Sequence, residues 1–334
     1  MVETTPTSTP PTESAGGSGP RRDDPPGSSS RTAIDAGGDV LRALLTRGRA
    51  PAPSRPSTGA RATTTDLPTG AIPGGREHRL ATEEARRLRR AERDRAPMEP
   101  LSRRRPGLSL QDAYLVQWCG AALRVDEGAR VVGHKVGLTS QAMRQQVGID
   151  EPDSGILLDT MAIACGGTLR VGELVAPRIE AEIAFRLGDD LHGADVDEGD
   201  ARAVIAEVFL ALEVIDSRFT LDGLTLADSV ADNAACARFV LGAAVPAPTW
   251  DLRAEELTVR VDDTPAASGK GRAVLGDPIR SLVWLARRLA AFDARLAAGD
   301  VVLAGAVHAG LPLAPGTTVS AASPHLPPVT LHIA

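Results

Sequence analysis

Two stretches constrain this chain most: Pro177-Arg178-Ile179-Glu180-Ala181-Glu182-Ile183-Ala184-Phe185 and Val208-Phe209-Leu210-Ala211-Leu212-Glu213-Val214-Ile215-Asp216. Both read as strands, in which successive side chains point to opposite faces. In the first, Ile179, Ala181 and Ile183 share one face and Glu180 and Glu182 share the other. In the second, Glu213 stands alone inside a run apolar enough for a buried strand. A carboxylate there is costly unless it is neutralised, paired or bound to a cation. Three converging carboxylates cannot neutralise one another, so a hard divalent cation with oxygen ligands, Mg²⁺ or Mn²⁺, is the economical partner. On pattern alone, a solvated strand face carrying alternate glutamates is the competing reading.

The 334 residues suffice for one large domain or two ordinary ones. Only 3% are aromatic, so the core must be aliphatic. Three cysteines, Cys119, Cys165 and Cys236, are odd in number and far apart, which argues against a disulfide framework and fits a reducing cytoplasm. No apolar run reaches membrane-spanning length, and the N-terminus lacks the apolar segment of a secretory signal. Residues 1–105 carry 19 Arg against 13 acids; the rest carries 18 basic residues against 30 acids. So acidic a main body is not the footprint of a nucleic-acid binder.

Residues 1–75 are rich in Pro, Ser, Thr and Gly and are read as a disordered tail. Within them residues 38–47, with Val40, Leu41, Leu44 and Leu45, have a short amphipathic helical pattern. Residues 76–128 carry two helical patterns, at 77–95 and at 110–125, the second opened by Ser109 with Asp112 three residues on. From 129 to 334 the texture is β-rich. Strands are expected at 131–136, 168–171, 179–185, 208–215, 237–241, 257–261, 301–303, 317–321 and 329–333, with helices at 198–206 and 279–292. Strands outnumber helices without regular alternation, which implies an α+β domain on mixed sheets.

Other stretches could carry chemistry. Lys135, between Gly133 and Gly137 at a strand end, could approach an anion closely, although a lysine in a surface turn is the commoner case. Glu151-Pro152-Asp153 and Asp159 flank an apolar loop, and a partly desolvated acid there would suit a general base. Residues 228–233 and 268–272 are polar, turn-forming clusters, and the second lacks the spacing of a phosphate loop.

Six strings taken in order resemble one family: Gly133-His134-Lys135-Val136-Gly137-Leu138-Thr139-Ser140; Asp150-Glu151-Pro152-Asp153 with Leu157-Leu158-Asp159; Pro177-Arg178-Ile179-Glu180-Ala181-Glu182; Leu212-Glu213-Val214-Ile215-Asp216-Ser217-Arg218; Ala231-Asp232-Asn233-Ala234; and Ala273-Val274-Leu275-Gly276. They are similar to the 2-keto-4-pentenoate hydratase and 4-oxalocrotonate decarboxylase family of the fumarylacetoacetate hydrolase superfamily, from about residue 78 onward. The resemblance implies a mixed β-sandwich roll with flanking helices and a homo-oligomer. It implies Mg²⁺ or Mn²⁺ on Glu180, Glu182 and Glu213, catalysis by Lys135, Asp153 and Asp159, and substrate contacts from Leu158, Arg178, Asn233 and Ser268. The implied activity is hydration of a small 2-hydroxy-2,4-dienoate acid in meta-cleavage catabolism of aromatics. A 4-oxalocrotonate-type decarboxylase and a non-catalytic scaffold partner are the alternatives. Thr225 stands where many hydratases have Lys, Ala235 where they have Ser, and His308 in a loop that often carries Thr.

Overall fold

A computed structural model describes residues 76–292 and 294–334. The amphipathic pattern at 38–47 lies outside them. Three helices open the described chain: α1 (Arg76–Asp94), α2 (Leu101–Arg104) and α3 (Leu110–Asp126). Ser109 caps α3 as expected, and Asp112 bonds back to the Ser109 amide, completing a reciprocal capping box. There follow β1 (Val131–Gly137), α4 (Gln141–Val147), β2 (Asp153–Leu158), β3 (Ala162–Ile163), β4 (Gly167–Leu169), β5 (Arg178–Leu187), α5 (Glu198–Ala203) and β6 (Ile205–Ile215). The remainder comprises α6 (Leu226–Ala231), β7 (Cys236–Leu241), β8 (Val245–Pro246), β9 (Glu256–Val261), β10 (Thr264–Lys270), α7 (Ile279–Ala290), β11 (Val301–Ala306), β12 (Leu311–Pro312), β13 (Thr318–Ala322) and β14 (Val329–Ile333).

Two mixed sheets result. The larger runs β2-β1-β11-β5-β6-β7-β3, with β12 also on β5 and β8 on β6; the smaller runs β10-β9-β13-β14-β4. Strand β5 lies near the middle of the larger sheet, and its residues from Ile179 to Phe185 are all buried, whichever face they point to. The parity read from the sequence holds: Ile179, Ala181, Ile183 and Phe185 join Val208, Leu210 and Leu212 in a core shared with the second sheet and α7. Ala184, Phe209 and Ala211 face the other way, into a second core closed by α1 and α3. Tyr114 and Trp118 of α3 pack there against Phe292, tilted and edge-to-face, with ring centroids 5.0 and 4.8 Å away. Glu180, Glu182 and Glu213 share the parity of this second, helix-covered face. Burying three acids beside an aliphatic core needs a compensating device, and the site is built around that need.

Three stretches expected to be irregular are ordered. The apolar loop after Pro152 is β2, an edge strand paired antiparallel to β1, and Ser268 lies on β10 rather than in a turn. The polar cluster at 228–233 includes most of α6, whose capping box pairs Thr225 with Asp228. Among the described residues no helix is long and apolar enough to cross a membrane.

Candidate active site and metal centre

Strands β5 and β6 place Glu180 directly opposite Glu213, with Glu182 two residues along and opposite Ala211. One oxygen from each glutamate lies within 4.8 Å of the others, and all three residues are buried. Like charges directly opposite on a strand pair repel, so this arrangement destabilises the cation-free protein. Glu180 Oε1, Glu182 Oε1 and both Glu213 oxygens have no hydrogen-bond partner, while Glu182 Oε2 accepts the Gly305 amide at 2.7 Å. Burial first, and Glu213 second, push Glu180 up to about 8. Burial and then the neighbouring Glu213 and Glu180 hold Glu182 well above the ordinary carboxylate range.

Lys135 enters from β1. Its Nζ donates to the Ala234 carbonyl at 2.9 Å and stands 3.4 Å from Glu213 Oε2. Burial works against the ammonium, but Glu213 and then Asp153 outweigh it and hold Lys135 above its ordinary range, hence charged. Asp153 begins β2 opposite Gly137. Its Oδ2 accepts from Ser229 Oγ at 2.5 Å, leaving buried Oδ1 free of partners. Glycine is needed at 137 because a Cβ there would lie 2.2 Å from Asp153 Oδ1 and 2.9 Å from Lys135 Nζ. Four buried carboxylates thus face one buried ammonium. The orphaned, converging oxygens, with the Glu180 and Glu182 carboxyls kept protonated by burial until a cation compensates them, fit a hard divalent cation.

A strained segment delivers the Ala234 carbonyl. Asn233, Ala234 and Ala235 all adopt left-handed backbone, at φ 54°, 51° and 57°. Each non-glycine residue in that region costs about 1–2 kcal/mol, so neighbouring groups must hold the arch. Asn233 does so with its side chain, accepting from Ile156 N at 2.7 Å and donating to the Ile156 carbonyl at 3.0 Å. On the other side Arg218 Nε meets Asp232 Oδ1 at 2.6 Å in a buried ion pair.

The expected substrate contacts are distributed unevenly. Arg178 is half-buried at the start of β5, its Nε donating to the Gly310 carbonyl at 3.0 Å beside Glu180. Asn233 borders the site, but both polar ends of its side chain are taken by Ile156. Leu158 is buried in the helix-side core. Ser268 is exposed on β10 in the second sheet, although its neighbour Gly269 abuts the Val307 backbone. The structure does not bring Asp159 to the carboxylates. It lies four residues beyond Gly155, about 13 Å along the strand, and its two oxygens accept from Arg130 N at 2.9 Å and Arg130 Nε at 3.0 Å. Ser229, the Ala234 carbonyl and His308 are site features that the sequence patterns did not single out for these roles. His308 accepts the Ala181 amide on Nε2 at 3.1 Å.

Comparison with known proteins agrees with this geometry. Residues 135–334 match the family described as fumarylacetoacetate (FAA) hydrolase C-terminal. The chain is 36% identical over 235 residues to 2-keto-4-pentenoate hydratase of Paraburkholderia xenovorans, covering 70% of this chain and 87% of that one. It is 40% identical over 224 residues to the enzyme of the same name from Burkholderia vietnamiensis, covering 67% and 86%. Among solved structures it resembles 4-oxalocrotonate decarboxylase from Pseudomonas putida G7, complexed with magnesium and adipate, at a TM-score of 0.74 and 32% identity, over 77% of this chain and 98% of that one. With the carboxylate trio on the paired strands and the matched region beginning at Lys135, this chain belongs to the fumarylacetoacetate hydrolase family.

Proposed function

We propose that the protein is a divalent-metal-dependent hydro-lyase that adds water to a small 2-hydroxy-2,4-dienoate, giving a 4-hydroxy-2-oxo acid. The observation that carries this reading is the set of orphaned oxygens on Glu180, Glu182 and Glu213 beside a charged Lys135. The similarity to enzymes named as hydratases selects the reaction. The three glutamates would hold Mg²⁺ or Mn²⁺, which when bound supplies Lewis acidity toward the substrate's 2-oxygen and carboxylate.

The chain's own groups have separate tasks. The Lys135 ammonium, fixed by the Ala234 carbonyl, balances the substrate carboxylate and the negative charge that develops as the dienol ketonises. Asp153, anchored through Oδ2 by Ser229, has Oδ1 free to accept the enol proton and deliver a proton to C5. The resulting enone takes water at C4 and a proton at C3, so that one water is added in all. Asp159, tied to Arg130, serves the end of β2 and takes no part in these transfers. We assign the protein to a homo-oligomeric state and to a reducing cytoplasm, in keeping with its cysteines, which form no disulfide.

Decarboxylation of 4-oxalocrotonate is the second reading, favoured by the 32% identical solved decarboxylase. Incubation with 2-hydroxypenta-2,4-dienoate and with 4-oxalocrotonate, each with Mg²⁺, separates them. Loss of the dienoate absorbance is expected with the first. Carbon dioxide from the second, with the first untouched, overturns hydration.

A further inference from the structure

Between Glu180 and Glu182 the strand β5 loses its regular neighbour. Strand β11 follows it as far as Leu303 opposite Ala184, shifts register, and has only Ala306 opposite Glu182; pairing resumes where β12 sets Leu311 opposite Ile179. The intervening Ala181 is fully buried. Its carbonyl still receives the Val307 amide at 3.3 Å. Its own amide meets no backbone carbonyl from the departing chain, and His308 fills the place, with Nε2 3.1 Å from Ala181 N.

The imidazole is set for this task. Its Nδ1 lies 2.8 Å from the Ala309 carbonyl, which fixes the hydrogen on Nδ1 and leaves Nε2 as the acceptor. The loop carrying the ring is itself clamped. Gly310 N donates to Gln146 Oε1 at 3.0 Å, and the Gly310 carbonyl accepts from Arg178 Nε at 3.0 Å. Glu180 and Glu182 hang from the peptides on either side of Ala181, so a rotation there would swing both carboxylates away from Glu213.

We propose that His308 is a positioning residue for the metal centre: acting as a surrogate strand carbonyl, it holds the Ala181 amide and so sets the directions in which Glu180 and Glu182 offer their oxygens to a divalent cation. This rests on the cation reading of the three glutamates. It requires an acceptor at this point, not a charge or a ligand atom. Partners of this outer kind typically change metal affinity by roughly 10- to 100-fold.

The test uses the full chain as wild type, H308Q and H308L. A glutamine amide can accept from Ala181 N–H and donate to the Ala309 carbonyl, whereas leucine fills volume without an acceptor. Mn²⁺ binding followed by electron paramagnetic resonance is expected to weaken roughly 10- to 100-fold in H308L and to stay within about threefold of wild type in H308Q. Hydrogen exchange of the peptide spanning residues 179–183, without metal, is expected to accelerate in H308L alone. If H308L does not fold, H308A gives the same comparison at smaller volume. H308L binding Mn²⁺ as tightly as wild type overturns the proposal, and so does H308Q losing as much affinity as H308L. A wild type that binds no Mn²⁺ brings down the three-glutamate reading and this proposal together, an outcome distinct from wild type and H308L binding alike.

Discussion

Glu213 sits at 0% exposure with neither oxygen hydrogen-bonded, opposite Glu180 and 3.4 Å from the Lys135 ammonium, so a single atom change there tests the electrostatics of the whole site. Glu213→Gln keeps the volume and removes one negative charge. Metal affinity is expected to fall at least about tenfold and turnover to collapse with it. The cation-free protein should gain no stability, because any repulsion relieved beside Glu180 is offset by the loss of the buried counter-ion of Lys135. Calorimetric Mn²⁺ titration together with urea unfolding in EDTA reads both effects, and unchanged metal affinity removes Glu213 from the site. Strand parity made it legible that Glu180 and Glu182 share a face; that Glu213 meets them depends on the β5–β6 register, which the sequence carried only through the family resemblance. Ser229 and the Ala234 carbonyl were not legible. They reach Asp153 and Lys135 across 76 and 99 residues of chain, and no local pattern encodes such a meeting.

At the scale of elements, the left-handed arch Asn233-Ala234-Ala235 and the edge strand β2 depend on each other. Strand β2 ends the larger sheet, so the outward N–H and C=O of Ile156 lack a strand partner, and the Asn233 amide supplies both bonds. Asn233→Ala deletes that pair and forces a less tolerant residue to keep φ near 54°. A loss of about 2–4 kcal/mol of stability is expected, with reduced turnover because the Lys135 carbonyl anchor shifts, while Mn²⁺ affinity changes little. If Asn233 acted mainly on substrate, KM would rise with the urea midpoint unmoved, and that outcome would return it to the binding surface. The expected strands all formed, with bounds shifted by a few residues, because each carries apolar residues, most at alternate positions, that the two sheets bury. Strand β2 was hidden by Pro152-Asp153-Ser154-Gly155, which is ordinary turn chemistry locally and becomes a strand only because β1 lies beside it. Strand β10 was hidden in the same way by Ser268, Gly269 and Lys270.

The whole molecule places its site on the helix-covered face of the larger sheet, so the helices at 76–126 belong to the site's support: Gln117 of α3 donates to the carbonyls of Ser154 at 2.7 Å and Val230 at 2.8 Å. Divalent cation bound only by the folded chain must therefore raise global stability. At a hundred times its dissociation constant the gain is about 2.7 kcal/mol, or roughly 5–10 °C in melting temperature; identical scans in Mg²⁺ and in EDTA would contradict the metal centre. Stability should also depend on pH through a group far from it. Asp300, buried just before β11, has Oδ2 2.8 Å from the Ala297 amide, and burial, with Asp190 adding to it, pushes its carboxyl up to about 7. Because the folded value lies above the unfolded one of 3.8, the folded protein holds a proton that the unfolded chain has lost between those two pH values. The contribution of Asp300 to stability therefore falls as pH rises through that window and is level on either side. Asp300→Asn keeps an acceptor for the Ala297 amide and carries no charge at any pH. Its stability relative to wild type should grow by a few kcal/mol between about pH 4 and pH 7 and hold above that. Urea midpoints of both proteins at pH 4.5, 6 and 8 read the difference, and parallel curves would show that Asp300 does not titrate in this range in the folded chain.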